Sequence, residues 1–268
     1  MSTLRWYPPT LIDETALRNV VRGLPRFGDV RYLVGTDSTQ SRALEILHRL
    51  DALGISFVTE SQDMGRGRSG RRWISPPAAG LLFSTILPAE LRGASLPAVG
   101  FWAALAVADA VKSVCSVTLG YKWPNDLLLD GRKCAGLLSE GRTAGSSTRI
   151  VLGVGINVNR PEEVPDPLLD DAAWLSDSGL AAIDRTRLLA AILARYEASF
   201  DDLLERPVEV IATWAKHAAL DGKRVTVRAV DGSLLQEGVV RGISPDGALL
   251  LRNDNGDAAV TLGDVSVL

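Results

Sequence analysis

The chain has 268 residues, 46% of them hydrophobic and 23% charged, a length and composition that suit a soluble globular protein of one or two domains able to bury a core and shape a pocket. A net charge of −3 argues against a general nucleic-acid binder, which carries a basic face. Two cysteines outside any CxxC pair and two widely separated histidines argue against a disulfide framework or a metal cluster.

In chain order, residues 1–30 read as a leader containing a short helix over 13–22, with no apolar signal-peptide segment. A strand is expected at 31–34. Asp37 or Ser38 then caps a helix with Ala43, Leu44, Leu47 and Leu50 at helical spacing, which Gly54 stops. Residues 55–59 read as a strand, 62–72 as a loop of glycine and arginine, and 81–87 as a strand closed by Pro88. An apolar helix starts at Ser95 and reaches about Val114. Its apolar stretch, 96–111, is interrupted by Pro97, Gly100 and Asp109 and is too short to span a bilayer. Residues 118–123 are extended, and 127–129 and 133–138 flank Asp130-Gly131, a hairpin signal.

A further strand covers 148–154, a long Pro/Asp-rich loop 160–183, and Asp184 caps a helix with Leu188, Leu189, Ile192, Leu193, Tyr196 and Phe200 on one face. Pro207 opens another helix carrying Ile211 and Trp214. From Gly222 short β-rich runs (224–228, 234–241, 248–251, 258–262) alternate with turns at Asp231-Gly232, Asp246-Gly247 and Asn255-Gly256, a small all-β module of the barrel type. The expected class is α+β: a mixed β-sheet domain with helices over 31–221, followed by a small β-barrel domain over 222–268.

Four arginines fall in the seven residues 66–72, spaced by glycines. Glycine lets backbone approach an anion and arginine donates paired hydrogen bonds to it. The segment reads equally as a mobile anion-binding loop or as a solvated basic turn or nucleic-acid patch. It also matches GxGxxG, but Trp73-Ile74-Ser75-Pro76-Pro77 cannot open the helix that a dinucleotide site needs. In Lys122-Trp123-Pro124-Asn125-Asp126, the Asp and Asn at a strand mouth suit Mg²⁺ and phosphate, or form an ordinary turn. Lys133, on the return strand of the same hairpin, comes close to Asp126, either as an ion pair or to neutralise reacting anions. Gly136 would let a flat ligand lie against that strand. Gly153 and Gly155 mark a close backbone approach. Ser38 and Thr39, with Gln62 just before the arginine loop, are helix-cap residues or readers of a small polar ligand. Cys115 and Cys134 read as buried apolar residues.

Taken in order, Asp-Ser-Thr (37–39), Gln62 with Gly-Arg-Gly-Arg-x-Gly-Arg (65–71), Lys-Trp-Pro-Asn-Asp (122–126), Gly-Arg-Lys-x-Ala-Gly (131–136) and Gly-x-Gly-Ile-Asn (153–157) make the chain resemble the biotin protein ligases over roughly residues 31–268. The resemblance implies an SH3-like C-terminal domain. It also implies two half-reactions, formation of biotinyl-5′-AMP from biotin and MgATP and transfer of biotin to a lysine of a biotin carboxyl carrier protein, of acetyl-CoA carboxylase or another biotin-dependent carboxylase.

Carried over by motif, Ser38, Thr39, Gln62, Arg66, Arg68, Lys133 and Gly136 would bind biotin. Arg68, Trp73, Asn125, Asp126, Lys133 and Asn157 would bind ATP, with Asp126 as metal ligand. Lys133, Arg68 and Asp126 would carry the catalysis. Gln40 stands where the family has Asn, and Cys134 where an aliphatic residue is common; strand alternation points Cys134 away from the ligand if Lys133 faces it. About 30 residues precede the first strand of the 31–221 region, too few for the DNA-binding domain of the repressor members. The resemblance is therefore to the monofunctional class: cytoplasmic, a monomer or weak homodimer, with no specific DNA or membrane partner. The alternatives are a related lipoate ligase or octanoyl transferase, or a non-catalytic biotin-binding module.

Overall fold

The computed structural model describes residues 10–268 except Ala94 and Asn255. The first nine residues of the expected leader and the asparagine of the expected Asn255-Gly256 turn lie outside the described residues.

Helix α1 (Glu14–Val21) starts at Asp13, whose carboxylate accepts from the Ala16 amide. It is followed by β1 (Val30–Leu33), α2 (Thr39–Ile46), β2 (Ser56–Thr59), β3 (Gly80–Ile86) and α3 (Ser95–Cys115). Then come β4 (Gly120–Lys122), β5 (Asp126–Leu129), β6 (Arg132–Ala144), β7 (Ser147–Asn157), α4 (Arg185–Glu205) and α5 (Pro207–Ala218). The seven strands form one mixed sheet in the order β1-β2-β3-β7-β6-β5-β4, in which β1 and β2 are parallel and the other pairs antiparallel.

The sheet is covered on both faces, which explains why its central strands read as continuous apolar runs rather than alternating ones. Leu152, Val154 and Ile156 of β7 face the main core, together with Trp102 of α3 and Tyr196 and Phe200 of α4. Val151 and Ile86 face the other way, where α2 seals a small second core with Ala43 and Leu47. On that second face β7 continues with Gly153 and Gly155 rather than bulky residues. The face is therefore filled by α2 at one end and left as a trough at the other.

α2 is shorter than its apolar spacing suggests. It ends at Ile46, and Leu50, expected on the buried stripe, is 71% exposed and opens a separate 3₁₀ turn. The guanidinium of Arg149 donates to the carbonyls of Leu47 (3.3 Å) and His48 (2.7 Å), satisfying acceptors that the helix end leaves open. The β6–β7 hairpin is longer than expected, because the polar residues 139–147 continue the ladder out to Ala144 and Ser147. α3 has the length and composition to cross a membrane, but most of it is buried in the protein, packed against α4 and α5.

A second sheet of antiparallel strands, β8 (Arg224–Arg228), β9 (Leu234–Ile243), β10 (Leu249–Asn253), β11 (Gly256–Val260) and β12 (Asp264–Val267), has the order β11-β10-β9-β8-β12. β12 was absent from the sequence expectation. At four residues, with a short apolar alternation after Gly263, it carries too little periodic signal to be read alone.

Candidate active site

The pocket opens over the Gly153–Gly155 trough, at the N-terminus of α2 and beneath the arginine loop. Its polar floor is a connected network. Ser38 is the α2 N-cap, and the Thr39 amide and hydroxyl both donate to Gln62 Oε1, at 2.7 and 3.1 Å. The Thr39 and Ser84 hydroxyls lie 2.8 Å apart, and Ser84 donates to Gln40 Oε1 at 3.0 Å. Gln40 forms part of the floor and covers Gly153, where a Cβ would sit 2.5 Å from its amide oxygen. Asp37 points elsewhere. Arg42 chiefly, with Thr36 and the Ser38 amide, holds its carboxyl well below the usual carboxylate range, so it secures the turn before α2.

The wall opposite is the β5–β6 hairpin. Asp130 (φ 50) and Gly131 (φ 79) form the two-residue turn expected of Asp-Gly. Lys133 is pinned through its backbone: its amide donates to Asp171 O (2.8 Å), and its carbonyl accepts from the Ala173 amide (2.9 Å) and from Asn157 Nδ2 (3.4 Å). The 160–183 segment, expected as a plain loop, therefore braces this strand. Lys133 Nζ lies 2.8 Å from Asp126 Oδ1, an ion pair across the hairpin with Asp126 largely buried and Lys133 partly exposed. Asn125 is clamped by its side-chain donation to Leu137 O at 2.6 Å.

The arginine loop closes the top. Its rims join, with the Trp73 amide donating to Gly65 O (3.0 Å) and the Gly67 amide to Arg71 O (2.7 Å). Arg68 Nη1 donates to Asn125 Oδ1 at 2.8 Å. Burial lowers the Arg68 pKa, and the nearby carboxylates of Asp126 and Asp264 oppose that shift. Arg66 pairs with Glu140 at 2.7 Å. Trp73 folds back into the trough: a Cβ at Gly155 would sit 2.5 Å from its indole and one at Gly136 2.9 Å, so the glycines admit this ring. The indole N–H is buried without a partner, and Lys133 Nζ lies 5.6 Å from the ring centre.

Ser38, Thr39, Gln62, Arg66, Arg68, Trp73, Asn125, Asp126, Lys133 and Gly136 thus line one pocket. Asn157 does not; it is buried behind the wall and supports the Lys133 strand. Cys134 points away as alternation requires, with its thiol pushed up to about 12 by burial. Sequence reasoning missed Ser84, hidden in an apolar strand, and Asp264, which reaches the rim from the second sheet.

A mixed sheet whose glycine trough is roofed by an arginine loop and walled by a lysine hairpin agrees with what comparison finds: residues 34–157 match the Biotin/lipoate A/B protein ligase family, and residues 222–268 match the Biotin protein ligase C terminal domain. The biotin--[acetyl-CoA-carboxylase] ligase of Mycobacterium tuberculosis is 33% identical over 97% of both chains. The bifunctional ligase/repressor of Bacillus subtilis is 31% identical over 86% of this chain and 71% of its own. The solved Aquifex aeolicus biotin protein ligase in complex with biotin and ATP superposes with a TM-score of 0.74 at 26% identity, over 90% of this chain and 99% of that one. The chain belongs to the biotin protein ligase family and is an enzyme of the ligase class.

Proposed function

We propose that the enzyme joins the biotin carboxylate to the α-phosphate of ATP, releasing pyrophosphate. It then passes the biotinyl group from biotinyl-5′-AMP to a carrier-protein lysine, releasing AMP. The observation that carries this reading is the convergence of Lys133, Arg68 and Asp126 on one pocket whose far end is the neutral hydrogen-bonding network of Thr39, Gln62 and Ser84. A neutral donor–acceptor floor suits a ureido ring, and a cationic mouth suits two anions that must meet.

Ser38, Thr39 and Gln62 hold the ring end of biotin, with Gly136 beside it. Lys133, Arg66 and Arg68 gather the carboxylate and α-phosphate. Trp73 leaves the trough to flank the adenine, and Asn125 takes phosphate. Asn157 serves the nucleotide side only through the Lys133 strand that it braces. Asp126 fits Mg²⁺, since its largely buried carboxylate lines the pocket beside Asn125 with Lys133 as its charge partner, and Mg²⁺ commonly takes one protein carboxylate plus substrate phosphates. When bound, the ion supplies charge neutralisation at the phosphates. In the second half-reaction the acceptor ammonium, with a reference pKa near 10.4, must shed a proton; Asp126 orients it and helps remove that proton.

The acceptor is the biotin carboxyl carrier protein of acetyl-CoA carboxylase or another biotin-dependent carboxylase, a reading supported by the name of the mycobacterial relative. We further assign 31–221 as the catalytic domain and 222–268 as the C-terminal domain, and place the enzyme in the cytoplasm as a monomer or weak homodimer without specific DNA affinity. The test is mass spectrometry of a purified carrier domain incubated with enzyme, MgATP and biotin or lipoate. A gain of one biotinyl group is expected. A gain of lipoyl instead, or no gain with intact reagents, would overturn the reading.

A further inference from the structure

The arginines of the loop are tied to different parts of the molecule. Arg66 pairs with Glu140 on β6, Arg68 with Asn125 before β5, and Arg72 donates to Asp63 O within the loop itself. Arg71 leaves the seven-stranded sheet altogether: its Nη2 lies 2.5 Å from Oδ2 of Asp264, the first residue of β12. Asp264 is held in place by its own sheet, where it pairs with Arg228. The preceding Gly263 adopts φ +130, and a Cβ there would lie 2.5 Å from Val227 Cγ1.

The second sheet is in turn fixed against the first. Trp123 Nε1 donates to Gly247 O at 3.0 Å in a buried contact. A Cβ on Gly247 would sit 2.7 Å from the Phe101 ring. Trp123 lies two residues before Asn125, the anchor of Arg68, so this joint ties the chain that holds Asn125 to the sheet that carries Asp264, the anchor of Arg71.

We propose that Asp264 is a positioning residue for the active-site loop, its carboxylate clipping Arg71 so that closure over the activated intermediate depends on the docked second sheet. This rests on the ligase reading above. Both partners are half-exposed, 47% for Arg71 and 38% for Asp264, so the pair contributes little to global stability. Its effect falls on the open–closed balance of a short loop, where a few-fold change matters because each opening exposes a hydrolysable adenylate to water.

The test uses the full chain with biotin and MgATP and no acceptor. Free biotinyl-adenylate is measured after filtration for the wild type, Asp264→Asn, Arg71→Gln and the double variant. Each single variant is expected to release the adenylate about two- to fivefold faster, the range an exposed ion pair supports. The double variant should be no faster than either single one, because the residues act as one unit. Added salt should speed wild-type release toward the variant rate and change Asp264→Asn less. Additive singles would overturn the clip. So would Asp264→Asn with unchanged release and a lower KM for ATP, since the carboxylate would then be a competitor for phosphate on Arg71. A wild type that forms no adenylate would defeat the ligase reading, and the clip with it.

Discussion

Replacing Lys133 with alanine removes the ammonium from the wall where carboxylate and α-phosphate meet. The change leaves Asp126, whose side chain is only 15% exposed, without the cation 2.8 Å away. Arg68 remains, but its guanidinium is already engaged by Asn125. Two unit charges about 4 Å apart interact by about 4 kcal/mol at an effective dielectric near 20. Lys133 is 38% exposed, so solvent screens part of that. Loss of one charge-stabilising group of this kind costs about 2.7–4 kcal/mol, or about 10²–10³ in kcat. The expected result is a fall of that size in pyrophosphate release at saturating biotin and ATP, with a much smaller change in ATP affinity. A Lys133→Ala enzyme that is folded, and that releases pyrophosphate within about threefold of wild type, a difference under about 1 kcal/mol, would refute the role.

Arg68→Gly breaks the bond to Asn125 and frees the loop centre, so adenylate synthesis should persist while the adenylate escapes; nearby proteins would then be biotinylated unselectively, and a variant that keeps the intermediate as tightly as wild type would contradict the assignment. Asp37→Asn should lower the melting temperature near neutral pH. Because the folded-state pKa of Asp37 is depressed, mainly by Arg42, its stabilisation is complete above the unfolded carboxylate pKa and is lost as pH falls through the folded value, so the gap to wild type should close in acid. Solvent keeps that gap within about 1 kcal/mol, and a gap that widens in acid would reverse the argument. Cys134, fully buried and pushed up to about 12, should resist iodoacetamide in the folded protein and react on denaturation; fast labelling of the native chain would show that Cys134 faces the pocket.

The elements that were legible in the sequence are those whose cause is local. Asp13 and Asp184 announce α1 and α4 because a carboxylate caps the next turn. Asp130-Gly131 announces the hairpin because left-handed backbone is accessible to those residues. The motif residues have no such local cause: each short turn or strand taken alone reads equally well as ordinary structure, and only the five motifs in order, through the family resemblance, single them out. Gly136 and Gly155 were readable as sites of close approach, but not what approaches: Trp73 fills the trough from a loop of another element, and nothing near either glycine encodes that. Asn157 went the other way. Its motif suggested the nucleotide, whereas its side chain meets the Lys133 carbonyl behind the wall.

Contacts that join distant polar residues leave no period in the sequence, because a single exposed aspartate or serine looks like any other surface or strand residue. Ser84 reads as one polar interruption in an apolar strand, yet it connects Thr39 to Gln40 beneath the pocket. Asp264 reads as the start of a four-residue strand in a separate module, yet it lies 2.5 Å from an arginine of the active-site loop. What makes both positions consequential is the packing of whole elements. α2 and β3 bring the hydroxyls within reach of one another, and the Trp123–Gly247 joint ties the second sheet, of which β12 is part, to the first. Substitutions in that joint are therefore expected to act on loop closure, although none of its residues lines the pocket.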